Sequence, residues 1–136
     1  MNKIEHIGIA VKNLDEANEL YAKLFGKLCY KTEVVESEGV KTSFFMMGNN
    51  KIELLEATND DSPIAKFINK RGEGIHHIAF DVDDIEAEIK RLTQEGFVVL
   101  NDIPKKGADN KRVVFLHPKT THGVLIELCQ EISLKE

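Results

Sequence analysis

Residues 4–11 read Ile-Glu-His-Ile-Gly-Ile-Ala-Val, and residues 75–82 read Ile-His-His-Ile-Ala-Phe-Asp-Val. Aligned on His6 and His77, each copy has Ile immediately after the histidine and Val five positions after it. Successive residues of a strand point to opposite faces. As a strand, the first copy places Ile7, Ile9 and Val11 on one face and His6, Gly8 and Ala10 on the other. The second places Ile78, Phe80 and Val82 on one face and His77, Ala79 and Asp81 on the other. The bulky face can pack against a helix. The opposite face sets an imidazole beside a very small residue, which leaves space next to the ring. A core face is filled with large side chains, so this pattern suits a cleft.

Working outward, each copy is followed by a helical stretch with an acidic start, NLDEANELYAKLFG after the first and DDIEAEIKRLTQEG after the second. Asn13 and Asp83 are the expected N-caps, and acids in the first turn suit the helix dipole. Gly26 and Gly96 stand where a left-handed C-terminal cap is expected. Strand signals follow at about 28–36, 40–48 and 51–56, and again at about 97–100, 111–117 and 123–129. Glu38-Gly39, Gly48-Asn49-Asn50 and a polar loop from Lys105 to Lys111 punctuate them. Between the halves, Ser62 followed by Pro63 opens a short helix that Arg71-Gly72 closes. The expectation is an α+β fold of two repeated β-α-β-β-β modules in one domain, residues 1–136. Module one takes about 1–58, the linking helix about 62–71 and module two about 73–132.

A length of 136 residues with 42% hydrophobic and 30% charged side chains fits one globular domain that needs no disulfide or structural metal to fold. A net charge of −5 argues against sequence-independent nucleic-acid binding, which needs a basic face. No apolar run approaches the length of a membrane span, and the N-terminus lacks the features of a signal peptide. Cys29 and Cys129 have no metal-type or redox-type spacing. They read as buried thiols of a cytoplasmic protein.

The last strand of each half repeats as well, with Ile-Glu-Leu at 52–54 and again at 126–128. Ile52, Leu54, Ile126 and Leu128 claim the packed face, so Glu53 and Glu127 must point the other way, as His6 and His77 do. One such residue alone would be an ordinary solvated side chain. Four at equivalent places of two repeats make a divalent-metal site the stronger reading. Imidazole with carboxylate suits Zn, Co, Ni, Mn or Fe(II). His76 faces the opposite side from His77 and reads as structural, and His117 and His122 read as surface residues.

These residues resemble the vicinal oxygen chelate (glyoxalase) superfamily, and within it the methylmalonyl-CoA epimerases. The resemblance covers essentially the whole length, most specifically DSPIAKFINKRGEGIHHIAFDVDDIEA at 61–87 and FLHPKTTHGVLIEL at 115–128. It implies two modules forming a cupped, incomplete barrel, a homodimer, and one divalent ion (Co, Zn, Mn or Ni) per chain. The ligands would be His6, Glu53, His77 and Glu127; some members have Gln at the place of Glu53. Some members also carry a second catalytic carboxylate where this chain has Thr42, which makes Thr42 a candidate substrate contact. The implied reaction is epimerisation of methylmalonyl-CoA by proton transfer alpha to the thioester, with Glu127 as one acid–base group and Glu53, or a metal-bound water, as the candidate for the other. Lys105, Lys106, Lys111, Arg112 and Lys119, offset only by Asp109, make a basic stretch suited to the phosphates of an acyl-CoA, with Lys119 as the named contact. Three other functions fit the same fold: a glyoxalase I-type lactoylglutathione lyase, a metal-free module that sequesters a drug, and a ring-cleaving dioxygenase with two histidines and one carboxylate on Fe(II), against which the fourth filled position, Glu53, argues. The four filled ligand positions speak against the second, and the central stretch favours the epimerase over the first.

Overall fold

The structure, a computed structural model, describes residues 1–133. In chain order it contains β1 (Lys3–Ala10), α1 (Leu14–Phe25), β2 (Lys31–Val35), β3 (Val40–Met47), β4 (Asn50–Ala57), α2 (Pro63–Arg71), β5 (Gly74–Asp81), α3 (Ile85–Gln94), β6 (Lys105–Lys106), β7 (Lys111–Leu116) and β8 (Ile126–Glu131). Two compact units emerge, one of residues 6–76 and one of residues 1–5 together with residue 77 onward. In the first, the strands run in the order β2-β3-β4-β1. The β1–β4 pair is parallel and the other two pairs are antiparallel. In the second, the order is β5-β8-β7-β6, with β5–β8 parallel and the rest antiparallel. The sequence repeat is thus a repeat of topology.

Each apolar face packs as its alternation predicts. Ile9, Ile52, Leu54 and Phe45 pack against Leu14, Ala17, Tyr21 and Phe25 of α1. Phe80, Val82, Val114, Leu116, Ile126 and Leu128 pack against Ile85, Ile89 and Leu92 of α3. On the histidine face, expected to line a cleft, Ala10, Val40 and Leu55 instead pack against Ile64, Phe67 and Ile68 of α2. The caps of α1 and α2 are as expected. The Asn13 side chain accepts from the Glu16 N–H and Ser62 from the Ala65 N–H. Gly26 adopts φ 72° and accepts the left-handed turn that ends α1.

Four expectations need correction. The N-cap of α3 is Asp84, which accepts from the Ala87 N–H, and not Asp83, which accepts from the Asn2 side chain. Two adjacent aspartates offer the same chemistry, and the register of the helix against β8 decides between them. Residues 97–100 do not form a full strand. Val99 bridges Leu116, and Leu100 donates to the Phe115 carbonyl, after which the chain leaves β7. Pro104 then interrupts it, because it has no N–H to give to the ladder. Pairing resumes at β6, inside the stretch expected to be loop. Finally, β8 starts at Ile126 because His122 and Gly123 take positive φ in the preceding turn.

The cap assignment has a measurable consequence. Asp84→Ala should cost about 1 kcal/mol in urea denaturation, the usual cost of a lost N-cap, with Asp83→Ala costing clearly less. Equal losses would put the cap at the wrong residue.

Candidate functional site

The register of the first unit sets Gly8 beside Glu53, and Glu53 beside Phe44. Residues opposite each other in a sheet share a face, so Glu53 lies on the histidine face with only a hydrogen for a neighbour on β1. His6 Nδ1 is 3.1 Å from Glu53 Oε2, and both side chains are 5% exposed. The second unit repeats the arrangement. Ala79 stands beside Glu127, and Glu127 beside Phe115. His77 Nε2 is 3.2 Å from Glu127 Oε1, with both side chains buried. The His77 ring meets Phe115 edge-on at 5.8 Å between centroids.

A buried carboxylate is costly without a positive or donating partner, and each glutamate has an imidazole at contact distance. These spacings also suit metal coordination. Donors about 2.1–2.2 Å from an ion and at right angles to one another lie about 3.0–3.1 Å apart. Each pair therefore has the edge length of a coordination polyhedron, with the nitrogen and oxygen donors that a borderline divalent ion prefers. The described residues thus contain a histidine–glutamate group of the kind that could hold a metal ion.

Thr42 is wholly buried, and its hydroxyl has no hydrogen-bond partner among the described residues. The register puts it beside Leu55, on the same face as Glu53. Lys119 is exposed in a short 3-10 turn, Pro118–Thr120, whose start is capped by His117 Nδ1 accepting from the Lys119 N–H. His117 is therefore a turn-forming residue, and His122 is exposed. His76 packs edge-on to Phe67 at 5.0 Å, the structural role expected of it. The basic stretch does not stay together as phosphate-facing surface. Arg112 is bound to Glu86, holding that carboxyl below its ordinary range. Lys111 is buried, with Nζ 3.9 Å from Glu5 Oε2 and 3.6 Å from Glu131 Oε1.

Several residues on these faces were not singled out in the sequence. Phe44 and Phe115 flank the two glutamates, but their spacing to Glu53 and Glu127 differs between the halves and becomes visible only through the register. Buried Glu5 and its contact with Lys111 had no signal, since a lysine in a basic run looks solvated. Cys29 and Cys129 are not disulfide-bonded, and Cys29 is only half-buried.

Comparison with known proteins follows the same lines. The model of the Glyoxalase/Bleomycin resistance protein/Dioxygenase superfamily matches residues 5–115. The mitochondrial methylmalonyl-CoA epimerase of Dictyostelium discoideum is 43% identical over 129 residues, covering 94% of this chain and 78% of that protein. The chain belongs to the methylmalonyl-CoA epimerase family of this superfamily. The ethylmalonyl-CoA/methylmalonyl-CoA epimerase of Cereibacter sphaeroides is 40% identical, covering 96% of this chain and 98% of its own. A Streptomyces coelicolor methylmalonyl-CoA epimerase solved with 2-nitronate-propionyl-CoA superposes with a TM-score of 0.93 at 39% identity, over 98% of this chain and 96% of the other. The α+β glyoxalase fold expected for the epimerase family is the fold found.

The two thiols should separate by reactivity. Burial, aided by the negative charges of Glu127 and Glu5, pushes the Cys129 thiol far up, away from thiolate. A thiol reagent at neutral pH should modify Cys29 readily in the native protein and Cys129 only after unfolding. Two equally fast thiols per native chain would contradict this burial.

Proposed function

We propose that the chain interconverts the two epimers of methylmalonyl-CoA by moving the proton on the carbon alpha to the thioester. The observation that carries this reading is the pair of buried histidine–glutamate contacts at equivalent strand positions, in a chain 40% identical to an epimerase over nearly the full length of both. We assign His6, Glu53, His77 and Glu127 as ligands of one divalent ion, Co, Zn, Mn or Ni, with the two units acting as modules of a single domain. When bound, the ion would supply Lewis-acid stabilisation of the negative charge that develops on the thioester oxygen.

The chain's own residues supply the rest. Glu127 is the group assigned to take the α-proton. A carboxylate is a weak base towards carbon acids, so its position against the substrate carbon must do much of the work. Ala79, beside Glu127 on β5, presents only a methyl group next to that carboxylate. The Thr42 hydroxyl is buried without a hydrogen-bond partner among the described residues, and a substrate oxygen would satisfy it. We assign Lys119, with Lys105 and Lys106, to the phosphates of the coenzyme A tail; Lys111 and Arg112 pair with acids. We expect a homodimer acting in the cytoplasm. Among the described residues no helix is long and apolar enough to cross a membrane.

In deuterated water the protein should incorporate label at the α-carbon of methylmalonyl-CoA and interconvert the epimers, which NMR follows directly. No label and no interconversion by metal-loaded protein would end the epimerase reading. His6→Ala and His77→Ala should each lose stoichiometric metal by elemental analysis while keeping the native circular dichroism. Glu127→Gln should lower kcat by about 100-fold or more while retaining most of the metal, because an amide still ligates but takes no proton.

Replacing Lys105, Lys106 and Lys119 together by Ala should raise KM severalfold with kcat little changed, the mark of lost uniform binding. The effect should shrink at high salt. An unchanged KM at low ionic strength would make these lysines plain surface.

A further inference from the structure

The reacting carbon of a malonyl-type thioester carries a free carboxylate as well as the thioester carbonyl. That carboxylate is one bond from the carbon, so a cation that recognises it must stand close to the assigned ligands. The phosphates of coenzyme A lie at the far end of a long pantetheine arm and are out of reach from there. The first unit places a lysine suitably. Lys31 pairs with Phe44, Phe44 with Glu53 and Glu53 with Gly8, so these four residues form one rung across β2, β3, β4 and β1. Paired residues share a face, which puts Lys31 on the face of Glu53 with a single ring between them. Its Nζ lies over that ring, 4.7 Å from the centroid. The Thr42 hydroxyl, matched above to a substrate oxygen, is one rung along on the same face.

Two features separate Lys31 from an ordinary surface cation. The first is how it is held. β2 is an edge strand, yet the side chain is only 38% exposed, because its stem lies on a phenylalanine that is itself wholly buried. On the same face Glu33, 35% exposed, has Oε1 3.9 Å from Nζ. That spacing is longer than a hydrogen bond, and part-exposed pairs of this kind are weak, so a ligand carboxylate can compete for the ammonium. The second is that the repeat does not supply it twice. Tyr30 donates its N–H to the Phe44 carbonyl, and Leu100 donates to the Phe115 carbonyl in the same way. Lys31 follows Tyr30, but the residue after Leu100 is Asn101, neutral and exposed. The place beside the phenylalanine carries a charge in one unit only, as recognition of a single carboxylate asks.

We propose that Lys31 binds the free carboxylate of the acyl group beside the Phe44 ring and so selects malonyl-type thioesters over uncharged acyl-CoAs; this rests on the epimerase reading above. The ring keeps water from one side of the ion pair, which strengthens it relative to one on open surface. With the acid arm and the thioester both held, only the α-hydrogen and the methyl group are left to change sides.

Malonyl-CoA and propionyl-CoA share the thioester and the whole coenzyme A tail. They differ in the free carboxylate, and neither has a stereocentre to turn over. Calorimetric titration of the metal-loaded wild type should show tighter binding of malonyl-CoA. Lys31→Met keeps the stem over Phe44 without the charge. It should weaken malonyl-CoA binding by about tenfold and leave propionyl-CoA within about twofold of wild type. Lys31→Glu should weaken malonyl-CoA further and again spare propionyl-CoA. Lys31→Arg, which still offers donors to a carboxylate, should recover most of the loss. Thermal melts run alongside should stay within a few degrees of wild type. Equal weakening of both esters by Lys31→Met would make the lysine a structural residue or a phosphate contact and overturn the proposal. An unchanged preference for malonyl-CoA in Lys31→Met and Lys31→Glu would overturn it as well, with the epimerase reading left standing. Wild type that binds neither ester would end the epimerase reading itself.

Discussion

A carboxylate buried against an imidazole, once in each unit, is the constraint around which this fold is arranged. Removing an ionised carboxylate from water costs several kcal/mol even after relaxation, and the chain accepts that cost twice, at Glu53 and Glu127. It can do so because strand alternation separates the two jobs of each strand. Ile52 and Leu54 hold β4 to α1, while Glu53 between them faces the other way. Ile126 and Leu128 do the same for β8 against α3. The apolar face provides the packing that keeps the polar face in place, and the small residues Gly8 and Ala79 keep a side chain from filling the space beside each carboxylate.

That division of labour is why much of the fold could be read from sequence. Period-two alternation is a local signal, and doubling it at His6 and His77, then at Glu53 and Glu127, turned four ambiguous residues into a pattern. The helix ends were equally local at Asn13, Ser62 and Gly26. Reading failed where the deciding partner is distant in sequence. Asp83 and Asp84 are chemically alike, and only the docked helix selects between them. Residues 97–100 have strand composition, but the ladder they would join continues past Pro104 at a different place. The basic stretch looked like one patch because charge along a sequence says nothing about which acids lie opposite. Arg112 finds Glu86 and Lys111 finds Glu5 only after the chain has folded.

The two units also show where the repeat has been kept and where it has drifted. The histidine, the small residue two positions later, the glutamate and its phenylalanine neighbour are the same in kind. One rung further along the face the correspondence ends. Ala10 and Leu55 of the first unit answer to Asp81 and Cys129 of the second, and Thr42 answers to Val113. One rung further still, Val40 with Ala57 answers to Lys111 with Glu131.

A reaction at a stereocentre gives this asymmetry a chemical sense. The two proton positions on the α-carbon are opposed, but the thioester arm and the carboxylate beside them are different groups that must each be held one way round. Identical modules would offer identical surroundings and could not fix that orientation. The conserved positions supply donors that either module can provide equally. The diverged positions include a buried hydroxyl, Thr42, in one unit and a buried lysine, Lys111, in the other.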